Sequence, residues 1–465
     1  MELYLSYYFL FFLCILYLFG FSLALSSLFE SRTPQGSMAW FLSLTCLPFI
    51  SIPLYFFFGK KKIDNYDSYD SEMISIRCAN EIIINTFKYH RPKGQRLLSE
   101  ERFNFISGNS ITLLIDGEET FSEMLQTISE AKDYIFLQMY IFRTDKIGKM
   151  IIEALVRKAT AGVKVYVLYE KIGIRMSKSL LSEMKRSGIL FGEFSPTRFN
   201  KFQFNFRNHR KQLIVDGKVG FFGGINIGDD YLGKYSHIGY WRDSNVKIKG
   251  PVLGLAQLDF IKDWKFSQSE AIEIQLHVSG QSGDSNILHF STSPDEERPI
   301  NLLQHIELIH KAKKRIWIAN PYVIPPQGLL DALYISSMRG IDIRIIIPKN
   351  NDNELVALAM DVHSERLFNS GVKIFKYKPG MMHQKVILID DDLAIIGSSN
   401  FDFRSMYLNF ENSIITDDQY FIKELEFSFR NDFMVCYELT EEYFGSLSKY
   451  HRLKSYLINS LAPVL

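Results

Sequence analysis

The feature that most constrains this chain of 465 residues is a pattern of polar residues that occurs twice with the same spacing. The pattern is His-x-Lys-x4-Asp-x6-Gly-x-x-Asn. Its polar members are His209, Lys211, Asp216 and Asn226 in the first copy, and His383, Lys385, Asp390 and Asn400 in the second. One His-x-Lys triplet is usually incidental, but two complete copies with matching spacing are not. The chain is therefore predicted to contain two copies of one fold.

The duplication extends beyond the two motifs. In both halves a helical stretch precedes a short apolar run, and a second helix and a second apolar run follow. Such runs alternating with helices predict βαβ units, and so an α/β fold with a mainly parallel sheet. We expect the two halves to pack face to face, so that the two motifs share one cleft.

Shifts in composition set the expected domain boundaries. Residues 1–62 are predicted to form a transmembrane hairpin, and residues 63–108 a connector with charged stretches. The first duplicated half is expected at 109–270 and the second at 287–465. Between them, residues 271–286 form a predicted linker that ends in a polar, turn-rich stretch.

The N-terminal region has two segments without a charged side chain, residues 3–29 and 38–58. Each is long enough to cross a hydrocarbon core, which takes about 20 helical residues. Pro34 favours a turn between the segments, and Pro48 and Pro53 favour a second helix that is tilted or broken. Together the segments predict a two-helix hairpin in the membrane.

Three lysines at residues 60–62 directly follow the second segment, whereas the loop of the hairpin offers only Arg32, offset by Glu30. Positive charge beside a membrane helix is retained in the cytoplasm. The prediction is a multi-pass protein of the cytoplasmic membrane whose catalytic part faces the cytoplasm. A cleaved signal peptide is the alternative, but Glu2 and the long apolar run speak against it.

The spacing within each motif separates chemistry from scaffold. Gln212–Val215 and Val386–Ile389 are largely apolar, so both motifs are predicted to be strands. His and the Lys two residues later then point to one face, whereas the Asp seven residues after His points to the other. Asp216 and Asp390 are therefore assigned to structural hydrogen bonding or ion pairing. The small residues before each Asn allow close backbone approach and return that Asn to the cleft.

Two imidazoles, two ammonium groups and two carboxamides suit chemistry at a phosphodiester. Lys and Asn can hold the anion and stabilise charge on its nonbridging oxygens. One His can attack phosphorus, and the other can protonate the leaving alkoxide. No metal or other cofactor is expected, because the lysines already neutralise the charge.

The motifs resemble those of the phospholipase D superfamily, and the longer context resembles its bacterial cardiolipin synthases over nearly the whole chain. The stretches that carry the likeness are Ser-Arg-Thr-Pro-Gln-Gly-Ser-Met-Ala-Trp at 31–40 with Leu-Pro at 47–48, Asn-His-Arg-Lys at 208–211, Gly-Gly-Ile-Asn-Ile-Gly-Asp-Asp-Tyr at 223–231, Trp-Arg-Asp at 241–243, Pro-Tyr at 321–322, Asn-Phe-Asp-Phe-Arg-Ser at 400–405 and Leu-Asn-Phe-Glu at 408–411. Several of them lie outside the motifs, which favours this subfamily.

The resemblance implies a reaction between two lipids. One phosphatidylglycerol would donate its phosphatidyl group to a His and release glycerol, and a second would accept the group and become cardiolipin. The implied partners are thus phosphatidylglycerol and cardiolipin in the membrane. The balance of 53 Lys and Arg against 52 Asp and Glu does not favour nucleic acid as a partner.

The resemblance also suggests roles for two carboxylates. Glu411 would orient a catalytic imidazole, and Asp243 is its candidate counterpart in the first half, grouped with the structural residues of the motifs. The chain departs from the pattern in two places. Gly224 stands where the second half has Ser398, and Glu170 stands where Asp is expected.

The sequence does not decide which His attacks phosphorus. We take His209 as the nucleophile and His383 as the acid and base. Two other functions stay open: a membrane-anchored phospholipase D or nuclease that uses water, and a non-enzymatic lipid-binding protein. The presence of both His and both Lys residues disfavours the last.

Overall fold

The computed structural model describes residues 2–30, 34–59, 63, 66, 74–89, 91, 97, 103–174, 176–195, 205–234, 239–267, 272 and 274–462. The N-terminal region has three helices, α1 (Glu2–Glu30), α2 (Pro34–Cys46) and α3 (Pro48–Phe58). Within α1, Tyr7–Phe29 is long and apolar enough to cross a membrane, and no second helix of the described residues is.

The second apolar segment is broken, because Pro48 begins α3 and Leu47 lies between two helices. The 13 residues of α2 extend about 20 Å, short of a span of about 30 Å. The predicted hairpin of two spanning helices is therefore not confirmed. Of its predicted link, residues 30–37, only 31–33 lie outside the described residues, as do the lysines at 60–62, whereas Pro34 already begins α2.

The remaining helices flank the sheet of the protein. They are α4 (Ile74–Phe87), α5 (Asp116–Glu130), α6 (Lys146–Thr160), α7 (Lys178–Arg186), α8 (Leu253–Ser267), α9 (Ile300–Lys311), α10 (Gln327–Met338), α11 (Glu354–Asn369), α12 (Phe403–Tyr407), α13 (Gln419–Met434), α14 (Glu441–Ser446) and α15 (Lys449–Asn459). A 3-10 turn covers Asp229–Leu232.

The described strands fall into two series, one in each half of the chain. The first series is β1 (Lys88–Tyr89), β2 (Phe105–Ile115), β3 (Tyr134–Met139), β4 (Lys164–Glu170), β5 (Leu190–Phe194), β6 (Arg207–Asn208), β7 (Gln212–Val215), β8 (Val219–Gly223), β9 (Tyr240–Arg242) and β10 (Ser244–Lys249). The second is β11 (Ser285–Thr292), β12 (Arg315–Ala319), β13 (Val323–Ile324), β14 (Asp342–Pro348), β15 (Lys373–Tyr377), β16 (Gly380–Met382), β17 (Val386–Ile389), β18 (Leu393–Gly397), β19 (Phe401–Asp402), β20 (Asn409–Thr416) and β21 (Cys436–Glu438).

Each half has a mixed sheet, so the expectation of a mainly parallel sheet is wrong. In the first half β3, β4 and β5 are parallel neighbours, but β7, β8, β10 and β2 continue the sheet in antiparallel order from β3. The second half repeats this arrangement with β12, β14, β15, β17, β18, β20 and β11. Each motif strand turns directly into the next strand, and such a hairpin requires antiparallel pairing.

Two long strands join the halves. β11 pairs with β20 of the second half and also with the first residues of β2, whose remainder pairs with β10. β2 begins at Phe105, inside the predicted connector 63–108, and β11 begins at Ser285, inside the predicted linker 271–286. Both segments therefore contribute to the sheet in addition to connecting domains.

A hydrophobic core shared by the halves fixes their relative position. Phe222 and Val246 of the first half lie in one buried cluster with Val386, Ile396 and Ile414 of the second. Burial of apolar area stabilises by about 25 cal/mol per Å², so this shared core favours a fixed arrangement of the two motifs.

Candidate active site

The two His-x-Lys triplets lie in matching places, immediately before the motif strands β7 and β17. The strands cover the apolar part of each motif, but His and Lys, which the prediction also placed on the strand, precede it. In each triplet the lysine folds back on the histidine. Lys211 Nζ donates to the carbonyl oxygen of His209 at 2.6 Å, and Lys385 Nζ donates to that of His383 at 2.7 Å. Lys385 Nζ also lies 2.9 Å from Nδ1 of the His383 imidazole.

Each motif histidine contacts a carboxylate that comes from the other half of the chain. His209 Nδ1 lies 3.1 Å from both carboxylate oxygens of Glu411. His383 Nδ1 lies 2.7 Å from Oδ2 of Asp243. Asp243 therefore contacts the second histidine directly, in the same way that Glu411 contacts the first.

Short strands place these pairs across the two halves. β6 pairs with the start of β20, and β16 pairs with β9, both in parallel. The backbone N–H of His209 then donates to the carbonyl of Phe410 at 2.9 Å, and that of His383 donates to the carbonyl of Arg242 at 2.8 Å. Each histidine is positioned by the residue that precedes its carboxylate partner.

The motif aspartates have a different environment. Asp216 accepts three backbone N–H bonds, at 2.8 to 2.9 Å, from the start of β3, and Asp390 accepts three at the same distances from the start of β12. Both residues have a positive φ, 51° and 50°, where the chain turns from one motif strand into the next. Their contacts fit the structural role predicted for them.

Replacing Asp216 by Ala is expected to lower the free energy of unfolding by about 3 kcal/mol. Three backbone donors lose their acceptor, and alanine disfavours a positive φ. Thermal unfolding of the purified variant measures the effect. Asp216→Asn, which tolerates this backbone conformation and keeps one acceptor, should lose less. A melting temperature of Asp216→Ala equal to that of the unaltered chain would contradict the structural role.

The two motif asparagines differ in their contacts. Asn226 is held on both sides: its Oδ1 accepts from the N–H of Ile141 at 3.0 Å, and its Nδ2 donates to the Tyr231 hydroxyl at 2.7 Å. Asn400 Oδ1 is buried and has no hydrogen-bond partner within the described part of the chain. The second half therefore offers the freer carboxamide.

The first half has Gly224 where the second half has Ser398, and this difference follows from the carboxylate that each residue faces. A Cβ atom at Gly224 would lie 2.3 Å from Oδ1 of Asp243, so any larger residue would displace that carboxylate. In the second half the Ser398 hydroxyl donates to Glu411. Gly224 thus makes room for Asp243, whereas Ser398 supports the longer Glu411.

Burial and neighbouring charges set the protonation of the site. Burial lowers the pKa of His209 to about 4 and also lowers the pKa of His383. Although burial alone would raise the pKa of Glu411, His209 and Lys211 hold it below its usual range. A neutral imidazole that donates its Nδ1 proton to a carboxylate keeps a lone pair on Nε2. Both histidines are therefore neutral near pH 7.

The lysines have unusual pKa values as well. Burial lowers the pKa of Lys211 to about 7 and that of Lys385 to about 8. An anion bound beside them would favour the protonated forms. Lys385 Nζ also lies 3.1 Å from Nε2 of His383, whereas the described hydrogen bond of Lys211 goes to the backbone of His209. Nε2 is thus more accessible in His209.

A cavity of about 480 Å³ contains both histidines and both motif asparagines. Its lining combines first-half and second-half residues: Tyr140, Ile141, Arg143, Arg207, His209, Asn226, Asp230, Tyr231, Trp241, Tyr322, Ile324, Asp352, Asn353, Val356, His383, Asn400, Asp402, Arg404, Asn409 and Ala462. Lys211, Lys385, Asp243 and Glu411 lie behind this surface, in contact with the histidines. Asp216 and Asp390 do not line it.

Sequence reasoning missed Tyr140, Arg207 and Arg404 as lining residues. The ring of Tyr140 packs edge-on against His209, with centroids 4.9 Å apart. Arg207 precedes the stretch 208–211, and Arg404 lies within the stretch 400–405, both of which the sequence analysis singled out, so their place in the chain was the available signal. Glu170, the other departure, is buried and accepts the backbone N–H of Asn208 at 2.9 Å.

Comparison with known proteins gives concordant matches. The family described as "Cardiolipin synthase, PLD-like domain" matches residues 124–263 and 305–433. Cardiolipin synthase A of Pseudomonas putida strain GB-1 is 33% identical over the full length of both chains. Cardiolipin synthase of Alkalihalophilus pseudofirmus is 33% identical and covers 94% of this chain and 90% of its own.

A solved structure shows the same fold at low identity. The phosphatidylserine synthase of Haemophilus influenzae Rd KW20 superposes with a TM-score of 0.60 and 15% identity, covering 84% of this chain and 98% of its own. The α/β fold with its duplicated domain, together with these relatives, defines an enzyme of the phospholipase D type. Within that class, the chain belongs to the bacterial cardiolipin synthase family.

Proposed function

We propose that the chain transfers a phosphatidyl group from one phosphatidylglycerol to another, forming cardiolipin and glycerol through a phosphohistidine intermediate. The observation that carries this proposal is the reciprocal pairing of two neutral histidines with carboxylates across the halves, at one cavity. The cavity would then be the shared cleft of both motifs.

In the first step, Nε2 of His209 attacks phosphorus, and the bond from phosphorus to the glycerol oxygen breaks. His383 gives a proton to that oxygen, so glycerol leaves as a neutral alcohol. His383 is neutral in the free enzyme and takes up this proton when substrate binds, because the anionic phosphodiester and Asp243 favour its charged form. Glu411 stabilises the charge that forms on His209, and Asp243 supports His383 in the same way. Asn226 and Asn400, which line the cavity, bind the nonbridging oxygens, and the charges of Lys211 and Lys385 behind them stabilise those oxygens.

In the second step, the primary hydroxyl of another phosphatidylglycerol gives its proton to His383 and attacks the phosphorus. The bond from phosphorus to His209 breaks, and cardiolipin is released. Since the leaving group and the nucleophile are both primary alcohols, one acid–base residue can serve both steps. The choice of His209 as nucleophile is supported by its more accessible Nε2, because Lys385 approaches Nε2 of His383.

The same proposal places the protein in the cytoplasmic membrane. α1 would cross the bilayer, and α2 and α3, which pack against it, would complete a membrane hairpin. Gly20 of α1 approaches α2 so closely that a Cβ there would lie 2.7 Å from the carbonyl oxygen of Leu44, a use of small residues common between membrane helices. A multi-pass anchor with the cavity on the cytoplasmic side remains part of the proposal.

Incubating the purified full chain with phosphatidylglycerol in detergent micelles tests the function. We expect equal amounts of cardiolipin and glycerol, and no such products from His209→Ala prepared in the same way. Phosphatidic acid as the main product would instead identify a hydrolase that uses water. Absence of both lipids from a correctly folded preparation would overturn the proposed chemistry, and cleavage of DNA would favour a nuclease.

The pH dependence of kcat/KM is expected to be bell-shaped. His209 must be neutral to attack, so activity is lost as the pH falls towards its pKa of about 4. Lys211 must be charged to bind phosphate and His383 must be protonated, so activity is lost as the pH rises through the pKa of Lys211, about 7, and through that of His383, which burial lowers. Lys211→Arg, which stays charged, should make the alkaline limb less steep, because His383 alone then titrates there. An unchanged alkaline limb in that variant would assign it to another group.

A further inference from the structure

We propose that Arg207 and Arg404 form a second anion subsite in the cavity, which binds the phosphodiester of the acceptor lipid. The inference rests on the proposed function and goes beyond it, because it assigns separate positions to the reacting phosphate and the acceptor's own phosphate. Both arginines line the same cavity as the motif histidines. Neither belongs to the motifs.

The two guanidinium groups are held by neutral oxygens. Arg404 donates two hydrogen bonds to Asn205, from Nη1 to the side-chain Oδ1 and from Nη2 to the backbone carbonyl oxygen, both at 2.8 Å. Arg207 donates from Nη1 to the backbone carbonyl oxygen of Phe206 at 2.8 Å. No carboxylate among the described residues lies within salt-bridge distance of either. Their positive charges are therefore available to an anion.

Other arginines of this region are paired. Arg210 lies 2.7 Å from Asp263, Arg242 lies 2.8 Å from Asp432, and Arg143 contacts Asp230. The protein thus neutralises arginines that serve its structure, as buried charges generally require. Arg207 and Arg404 depart from that rule at the cavity.

The nearest acidic groups compensate poorly for this charge. Burial raises the pKa of Glu170 to about 7, although Arg207 acts to lower it, and burial raises the pKa of Asp402 to about 6, although Arg404 acts to lower it. Burial, together with Arg207, lowers the pKa of Arg404 itself. Two like charges that repel each other in a half-buried site would gain most from a bound phosphate, which Arg can contact through two parallel hydrogen bonds.

Tyr140 separates this pair from the reacting centre. One part of its ring packs against His209, and the charges of both arginines act on its hydroxyl. The acceptor's hydroxyl and its phosphate are likewise separated, by one glycerol unit. The acceptor's hydroxyl would therefore lie at the phosphorus bound to His209, and the acceptor's own phosphate would lie at the two arginines.

Two buried oxygens suit the glycerol unit between the phosphates. Asn400 Oδ1 and Asn409 Oδ1 both lack a hydrogen-bond partner in the described ranges, and both residues line the cavity. Asn409 lies opposite Arg207 in the parallel pair of β6 and β20. A glycerol hydroxyl is a donor that would satisfy such an acceptor.

During the first step this subsite has no ligand from the donor, because the donor's leaving glycerol carries no second phosphate. The arginines should thus matter for the acceptor and not for formation of the phosphoenzyme. Water and simple alcohols also lack a phosphate. The subsite would therefore direct the phosphatidyl group to a second lipid.

The test uses two soluble acceptors at equal concentration, with phosphatidylglycerol in micelles as donor and the full chain as enzyme. One acceptor is radiolabelled glycerol, which is neutral, and the other is glycerophosphoglycerol, the deacylated headgroup of the lipid. We expect the unaltered enzyme to prefer glycerophosphoglycerol. Arg207→Gln and Arg404→Gln should each lower that preference by about tenfold or more, while transfer to glycerol changes by less than about threefold.

Arg430→Gln is the matched control, because Arg430 is an exposed arginine of α13 paired with Glu426, away from the cavity. Should Arg404→Gln fail to fold, Arg207→Gln and Arg404→Lys carry the test, and the latter should retain part of the preference. An unchanged preference, or a parallel fall in transfer to both acceptors, would overturn the subsite. Failure of the unaltered enzyme to transfer to either acceptor, with phosphatidic acid as product, would overturn the transferase itself.

Discussion

Alanine in place of His209 is expected to lower kcat for cardiolipin formation by about 10⁴-fold or more. The variant loses the only group proposed to form a bond to phosphorus, and no alternative nucleophile replaces it at the same position. Its stability should change little, because the side chain borders a cavity. Unfolding curves of variant and unaltered enzyme check that point, and product formation from phosphatidylglycerol measures the effect.

A donor with a good leaving group separates the two histidines. With p-nitrophenol in place of glycerol, departure needs little help from an acid. His383→Ala should then still release about one equivalent of p-nitrophenol per enzyme in a burst. His209→Ala should give no burst. A burst from His209→Ala and none from His383→Ala would reverse the assigned roles.

The second large effect is expected from Glu411→Gln, with a loss of about 10²- to 10⁴-fold in kcat. The side chain keeps its size, but the amide can donate to Nδ1 of His209 and so favour the tautomer that carries its proton on Nε2. That tautomer lacks the lone pair needed for attack. The loss of the negative charge also destabilises the imidazolium that follows proton or phosphoryl gain.

Asp361→Asn provides the matched control, because Asp361 also contacts a histidine, His451, at 2.9 Å, but outside the cavity. That variant should keep its kcat. If Glu411→Gln and Asp361→Asn behaved alike, the carboxylate behind His209 would have no special role. Retained binding of phosphatidylglycerol by Glu411→Gln, measured through KM, would separate orientation of the histidine from substrate binding.

The sequence predicted those features that depend on short-range spacing. The doubled motif predicted a repeated α/β fold, and the apolar runs predicted a strand in each motif, although His and Lys lie before that strand. The break before Pro48 followed from a local rule as well. These predictions succeeded because the residues that determine each strand or helix end lie within a few positions of it.

Features that depend on distant contacts were not predictable in the same way. The prediction of a mainly parallel sheet was wrong because Asp216-Gly217 forms the turn of a hairpin between β7 and β8. The pair Asp-Gly is a known turn signal, and the prediction did not use it. Each histidine contacts a carboxylate of the other half because β6 pairs with β20 and β16 pairs with β9. The paired strands are roughly 140 to 200 residues apart in the chain, so no local pattern indicates them. Arg207 and Arg404 become neighbours only through those pairings.

Locating the covalent intermediate in the unaltered enzyme tests most directly whether the phosphatidyl group passes through His209. Phosphatidylglycerol labelled in its phosphate would be mixed with the full chain, the reaction quenched at short times, and the labelled peptide identified under conditions that preserve phosphohistidine. We expect a phosphatidyl group on His209, formed and consumed fast enough to support cardiolipin synthesis. Label on His383, or cardiolipin formed with no covalent intermediate at any time, would contradict it.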